Sequence, residues 1–277
     1  IIRVHLEEDA GRSFHEGSTD TSNSSYIDFN RSGVPLIEIV THPDLRIASD
    51  AAEFFGRLRA ILRAIKVNDG NMEEGSLRCD ANISVRSIGV SELGVKVEVK
   101  NINSFRFLQR ALEYEFERQV EVLRNGGRVR QETRLWNTAT SRTMSMRSKE
   151  EAHDYRYFPE PDLHPLEVSK DWIKAVSETL PELPDHRKRR LIIEYHLTEQ
   201  NADLLIKSTE LSDYFEATAR ASGNPKSANN WIMGELMRSI KVSGLQIDHS
   251  PIQPEALAGL IKMVDSGRIT GSAAKRA

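Results

Sequence analysis

Leu77, Cys79, Ala81, Ile83 and Val85 alternate with Arg78, Asp80, Asn82, Ser84 and Arg86. Period two over ten residues is incompatible with a helix and calls for a strand with one buried and one polar face. Val95, Val97 and Val99 alternate with Lys96, Glu98 and Lys100 in the same way. A sheet with a polar face is the antiparallel-type arrangement, so these two runs argue against a parallel sheet covered on both sides. Shorter strand candidates are Val4–Glu7, Pro35–Val40, and two near Arg128–Trp136 and Arg142–Arg147.

Helices interrupt these strands. Ser49 is placed to cap one whose apolar side holds Phe54, Phe55, Leu58, Ile61, Leu62 and Ile65. A second starts near Ser104 and stops at Asn125-Gly126-Gly127. The spacing therefore predicts an α+β first part. Beyond Tyr155-Arg156-Tyr157-Phe158-Pro159-Glu160-Pro161-Asp162 the pattern is helical throughout, with helices opening at Pro184-Asp185, Asn224-Pro225 and Pro254-Glu255. We expect a domain boundary near residue 165, giving units 1–165 and 166–277.

Composition narrows the function classes. Of 277 residues, 39% are hydrophobic and 29% charged, which is globular rather than disordered. One cysteine, Cys79, excludes a disulfide framework and a Cys-based zinc site. No run approaches the roughly 20 apolar residues that span a bilayer, so no membrane partner is expected. The 38 Lys+Arg and 41 Asp+Glu nearly cancel, which disfavours a chain that wraps nucleic acid but allows a local basic patch. From residue 163 onward 15 basic residues meet 15 acidic ones, so the whole deficit lies in the first part, where acidic clusters gather. The chain starts without Met in what reads as mid-strand, and Ser272–Ala277 reads as a helix cut short; we take it as a fragment of a cytosolic-type protein.

The carboxylates raise the question of chemistry. Glu7-Glu8-Asp9, Glu38, Glu73-Glu74 and Asp80 each have an ordinary reading as solvated charges, and Glu38 and Asp80 fall on the polar side of their strands by alternation alone. Together they are the oxygen donors that a hard cation such as Mg²⁺ takes, in small number and shared with water and phosphate. Arg78 and Lys100 would then face the phosphates. No Walker A, Gly-x-Gly-x-x-Gly or kinase catalytic-loop signature is present, so an ATP site would have to be built on a sheet face. His5 and His15 are weaker candidates, since hard-metal sites favour oxygen. Cys79 belongs to the apolar face, as a buried thiol does. Asn101-Ile102-Asn103-Ser104 is either a helix-capping turn or an anion-binding one. Tyr155, Tyr157 and Phe158 with Arg156 could stack on nucleobases or pack as a linker. His186-Arg187-Lys188-Arg189-Arg190 could meet a phosphate backbone or form a solvated face, with Arg190 and Glu194 paired at i,i+4.

Several motifs then add what spacing does not. His5-Leu6-Glu7-Glu8-Asp9-Ala10-Gly11, Pro35-Leu36-Ile37-Glu38-Ile39-Val40 and Met72-Glu73-Glu74-Gly75-Ser76-Leu77-Arg78-Cys79-Asp80-Ala81-Asn82 resemble the B subunit of aspartyl/glutamyl-tRNA amidotransferases, the GatB family. So do Lys100-Asn101-Ile102-Asn103-Ser104-Phe105, Gln131-Glu132-Thr133-Arg134, Asp154–Asp162 and Asn230-Trp231-Ile232-Met233-Gly234. The resemblance implies a partial glutamine-synthetase-like cradle domain followed by an all-helical domain, without the family's first strand or its tail domain. It implies phosphorylation of the side-chain carboxylate of Glu or Asp on misacylated tRNA, using ATP and Mg²⁺, then amidation with ammonia to give Gln-tRNA or Asn-tRNA. Partners would be the amidase A subunit, a small C subunit and tRNA, in a bacterial cytoplasm or an organelle.

By the same resemblance Glu8 and Glu38 correspond to Mg²⁺ ligands, and Asp80 to a position near a second metal and the phosphates, with Glu73 or Glu74 beside it. Arg78, Lys100 and Asn101 are added on charge and sheet face, and Ser104 as a nucleotide contact at the helix start. With the first strand missing, the chain alone is expected to be inactive. The competing class is a tRNA- and amidase-binding scaffold without kinase chemistry.

Overall fold

The computed structural model describes residues 1–10, 12–14, 26–146 and 166–276. The expected contributions of His15 and of Tyr155–Asp162 lie outside the described residues. The chain falls into two compact units, 1–51 and 52–277.

In the first unit, β1 (Arg3–Glu8) pairs antiparallel with β4 (Pro35–Val40), and β2 (Arg12–Phe14) with β3 (Tyr26–Asp28). The register joins His5 to Glu38, Glu7 to Leu36 and Glu8 to Pro35. Side chains directly opposite share a face. One face therefore carries His5, Glu7, Leu36 and Glu38, all partly buried, and the other carries Val4, Leu6, Glu8 and Ile37, all exposed. Here the burial inverts the expectation for Glu38: its face is the covered one, and the apolar Val4, Leu6 and Ile37 face solvent.

The second unit contains a four-stranded sheet in the order β5 (Cys79–Ile83), β6 (Val97–Ile102), β7 (Thr133–Asn137), β8 (Arg142–Ser145). β5 and β6 are antiparallel, β6 and β7 parallel, and β7 and β8 antiparallel. The parallel step is needed because α2 (Phe105–Arg124) crosses from β6 to β7, as a parallel connection requires. α2 lies on one face, burying Leu108, Ala111 and Leu112 along with Val97, Val99 and Trp136 of the strands. Two departures from the sequence reading are local. The ten-residue alternation is hydrogen-bonded only over Cys79–Ile83, leaving Arg78 outside the strand. α1 (Ala48–Ala64) starts one residue before Ser49, so that serine lies within the helix.

From residue 166 the described chain is helical. α3 (Lys170–Thr179) is followed by α4 (Pro184–Tyr195), α5 (Glu199–Leu205), α6 (Thr209–Ser222) and α7 (Pro225–Trp231). A five-residue π-helical turn over Ile232–Leu236 leads into α8 (Met237–Ser243), then α9 (Pro254–Asp265) and α10 (Gly271–Ala274). Proline stands at the first turn of α4, α7 and α9, where its missing N–H costs nothing. Phe215, Leu191, Leu205, Ile232 and Ile261 are fully buried in the shared core of these helices.

Candidate functional site

The α2-free face of the four-stranded sheet holds a row of charges. Strand alternation in β5 sends Cys79 and Ala81 inward and leaves Asp80 and Asn82 exposed. The β5–β6 register shifts between Cys79 and Ala81, so Asp80 sits at an irregularity of the ladder. Such bulges re-aim a side chain and recur beside active sites. In β6 the inward Val97 and Val99 flank Glu98 and Lys100.

Lys100 is the centre of the row. Its Nζ lies 3.2 Å from Asp80 Oδ2 and 3.6 Å from Glu98 Oε1. Partial burial alone would lower its pKa, but the charges of Asp80 and Glu98 outweigh that and hold the ammonium above its usual range. Lys100 is therefore a fixed positive charge at neutral pH and not a base. Glu98 is held from its other side by the Thr133 hydroxyl, which donates to Oε2 at 2.8 Å.

The other expected residues surround this row in different ways. Arg78 is exposed and its Nε donates to the Gly75 carbonyl at 3.2 Å. Glu73 and Glu74 have exposed side chains, while their backbone N–H groups donate to the Asn71 side-chain oxygen. Asn101 adopts a left-handed conformation, φ 65°, and its Nδ2 donates to the Trp136 carbonyl at 2.9 Å, tying β6 to β7. Ser104 is the N-cap of α2, its hydroxyl accepting from the Phe107 N–H at 3.1 Å. Of the two readings of that turn, the capping one is what the geometry shows. Burial, then the neighbouring Asp80 charge, pushes the Cys79 thiol up to about 12, as expected of an inert thiol.

Two expectations need correction. Glu8 and Glu38 stand on opposite faces of the β1–β4 ribbon, so they do not jointly face one ion there; His5 and Glu7 share the Glu38 face instead. The basic run of α4 is largely occupied by acids. Arg187 Nη2 meets Asp213 at 2.5 Å and Glu216 at 2.6 Å. Lys188 meets Asp203 at 2.7 Å and Glu199 at 3.0 Å. Arg190 meets Glu182, Glu216 and, as the i,i+4 spacing predicts, Glu194 at 3.1 Å. Arg189 remains exposed.

Two further residues emerge only here. Glu98 completes the row around Lys100, and its parity with Lys100 was the available signal. Glu115 is a fully buried carboxylate on α2, in line with Leu108, Ala111 and Leu112 at helical spacing. Among the described residues no group of three His, Cys, Asp or Glu side chains is arranged to hold a metal ion.

Residues 1–174 match the family described as the GatB/GatE catalytic domain, well over half of the chain. The chain belongs to the GatB/GatE family. Residues 213–277 match a second family domain, described as the GatB domain. Among curated relatives, the B subunit of the aspartyl/glutamyl-tRNA(Asn/Gln) amidotransferase of Carboxydothermus hydrogenoformans is 50% identical over 275 residues. The protein of that name from Thermodesulfovibrio yellowstonii is 52% identical over 275 residues, and that from Chlorobaculum tepidum 49% over 276. These matches cover 99%, 99% and 100% of this chain, which spans 57% of the length of each relative. No helix among the described residues is long and apolar enough to cross a membrane.

Proposed function

We propose that this chain carries part of the transfer site of a tRNA-dependent amidotransferase. In that reaction the side-chain carboxylate of Glu or Asp esterified to tRNA is phosphorylated at the expense of ATP, and ammonia then displaces the phosphate. The products are Gln-tRNA and Asn-tRNA. Family membership together with the Asp80–Lys100–Glu98 row supports the reading, and the single observation that carries it is Lys100 placed between Asp80 and Glu98 on the α2-free sheet face.

The row suits the chemistry for an electrostatic reason. Phosphoryl transfer to a carboxylate brings several negative charges together, and a preoriented cation stabilises them without having to reorganise. Lys100 is such a cation, oriented by carboxylates on both sides. Arg78 adds a second exposed positive charge next to β5, and Asn101 near the end of β6 and the exposed Glu73 and Glu74 in the turn before β5 are the proposed nucleotide-side contacts. In this reading Asp80 and Glu98 would contribute carboxylate oxygens toward Mg²⁺.

The names of the relatives identify them as B subunits, and we extend that to this chain: it works in the cytoplasm with an amidase A subunit that supplies ammonia, a small C subunit, and misacylated tRNA. We also place the change from cradle to helical domain near residue 165, with the cradle related to glutamine synthetase. The test is ATP turnover by the full-length subunit assembled with its partners. ATP consumption that requires Glu-tRNA or Asp-tRNA, with Gln-tRNA or Asn-tRNA formed, is the expected result. A complex that binds tRNA and hydrolyses glutamine without tRNA-dependent ATP consumption would establish the scaffold reading instead.

A further inference from the structure

Beneath the charge row lies a second polar network, on the α2 side of the same sheet. Glu115 of α2 is fully buried. Its Oε2 accepts from the Thr143 hydroxyl of β8 at 2.8 Å, and Arg134 Nε of β7 lies 3.4 Å away. Arg118 donates to it through Nε and through Nη2, the latter at 2.6 Å. Gln119 donates to Oε1 at 3.0 Å and, from the same Nε2, to the Ile83 carbonyl of β5 at 3.3 Å. One helical carboxylate is thereby connected to three of the four strands.

Arg134 is fixed by this arrangement on every side. Its Nε donates to Thr143 Oγ1, its Nη2 to the Thr143 carbonyl and its Nη1 to Glu132 Oε1, each at 2.9 Å. Period-two alternation means that an Arg134 locked inward leaves Thr133 facing outward. Thr133 is the register partner of Glu98 across the parallel β6–β7 ladder, and its hydroxyl holds Glu98. A one-residue slip of β7 would remove that hydroxyl from the face altogether.

From this geometry we infer that Glu115 and Thr133 are positioning residues for the transfer site. Glu115 fixes the register of β7 through Arg134 and Thr143, and Thr133 transmits it to Glu98 and so to Lys100. Neither touches the reacting atoms. The inference rests on the proposed amidotransferase reading, and the experiment separates the two.

The full-length subunit is assembled with its partners, and amidation of misacylated tRNA is measured with ammonia supplied directly. Thr133→Val removes the donor and preserves the shape; Thr133→Ser keeps the donor. Thr133→Val should lower kcat about tenfold, the scale of a modest misplacement of catalytic groups, with KM for tRNA and the unfolding temperature little changed. Thr133→Ser should recover most of the loss. Glu115→Gln should lower kcat similarly, and the double variant Glu115→Gln/Thr133→Val should be no worse than the poorer single, because both act through one path. Wild-type kcat in Thr133→Val, no recovery in Thr133→Ser, or multiplying effects in the double variant would each overturn the inference while leaving the reaction established. A wild-type assembly that makes no Gln-tRNA or Asn-tRNA from ammonia would overturn the function and the inference together. If Glu115→Gln does not fold, Thr143→Val, which removes one donor to Glu115, replaces it, and wild-type kcat in that variant would overturn the Glu115 role.

Discussion

Glu216 on α6 is the most heavily paired carboxylate of the helical part, and Glu216→Gln perturbs it without changing its shape. Its side chain is 6% exposed and accepts from Arg187 at 2.6 and 3.0 Å, from Arg190 at 2.8 and 3.1 Å, and from Arg220 at 3.3 Å. Breaking a buried ion pair from one side costs about 3–5 kcal/mol, because the remaining charge stays buried. Arg187 keeps Asp213, and Arg190, 35% exposed, keeps Glu182 and Glu194. These surviving partners and the partial exposure place the expected loss at the lower end, about 3 kcal/mol. For a chain of this size class that corresponds to a fall of about 6–12 °C in unfolding temperature near neutral pH, read by circular dichroism.

The pH dependence adds a second signature. Burial alone would raise the Glu216 pKa, but hydrogen bonds from Arg190 and Arg187 overcome it and hold the carboxyl below its usual range. A folded pKa below the unfolded one means the stabilisation is complete above the unfolded value of about 4.3, and is lost as pH falls through the folded value. The gap between wild type and Glu216→Gln should therefore close on acidification below that point. Unfolding temperatures within about 2 °C at pH 7, or a gap that persists unchanged into strong acid, would show that the Glu216 charge does not hold these helices together.

Asn101→Ala should destabilise the chain by about 1–2 kcal/mol, since it loses the bond to the Trp136 carbonyl and a left-handed backbone position that asparagine tolerates; Asn101→Gly, which restores the backbone freedom, should be less harmful, and equal denaturant midpoints for the two would contradict this. For the basic run, Arg187→Glu and Lys188→Glu should lower the denaturant midpoint, while Arg189→Glu should leave it unchanged and alone reduce the slope of log tRNA affinity against log salt, by about 0.7–0.9 if one phosphate contact is lost. An Arg189→Glu slope equal to wild type would mean that this helix face only meets solvent.

How far the sequence could be read depends on how local each signal was. Period two around Cys79–Ile83 and Val97–Val99 located β5 and β6 because the burial that enforces it is repeated every second residue. Ser104 and Pro184 marked helix starts because capping is decided within a single turn. Strand ends were less legible: only part of the alternation at 77–86 finds a ladder partner. The separation of Glu8 from Glu38 needed the β1–β4 register, which no local pattern contains. The pairing of Arg187 and Lys188 with acids 11 to 29 positions away is likewise a property of helix packing. Glu115 was legible in principle, as a charge set within an apolar helical stripe, but a helix carboxylate is usually solvated and its strand partners come from elsewhere.

Whether the Asp80–Lys100–Glu98 row carries phosphoryl-transfer chemistry turns on Asp80→Asn in the full-length, partner-bound subunit. The amide keeps the shape and a hydrogen-bonding oxygen but removes the charge 3.2 Å from Lys100 Nζ. The rate to follow is that of Gln-tRNA or Asn-tRNA formation with ammonia supplied, which bypasses the amidase partner. It should fall by at least about a hundredfold, the scale for losing a group that organises charge in a transition state, with tRNA binding and unfolding temperature preserved. Amidation at a near-normal rate would remove the row from the chemistry and return Asp80 to an ordinary exposed carboxylate on a sheet.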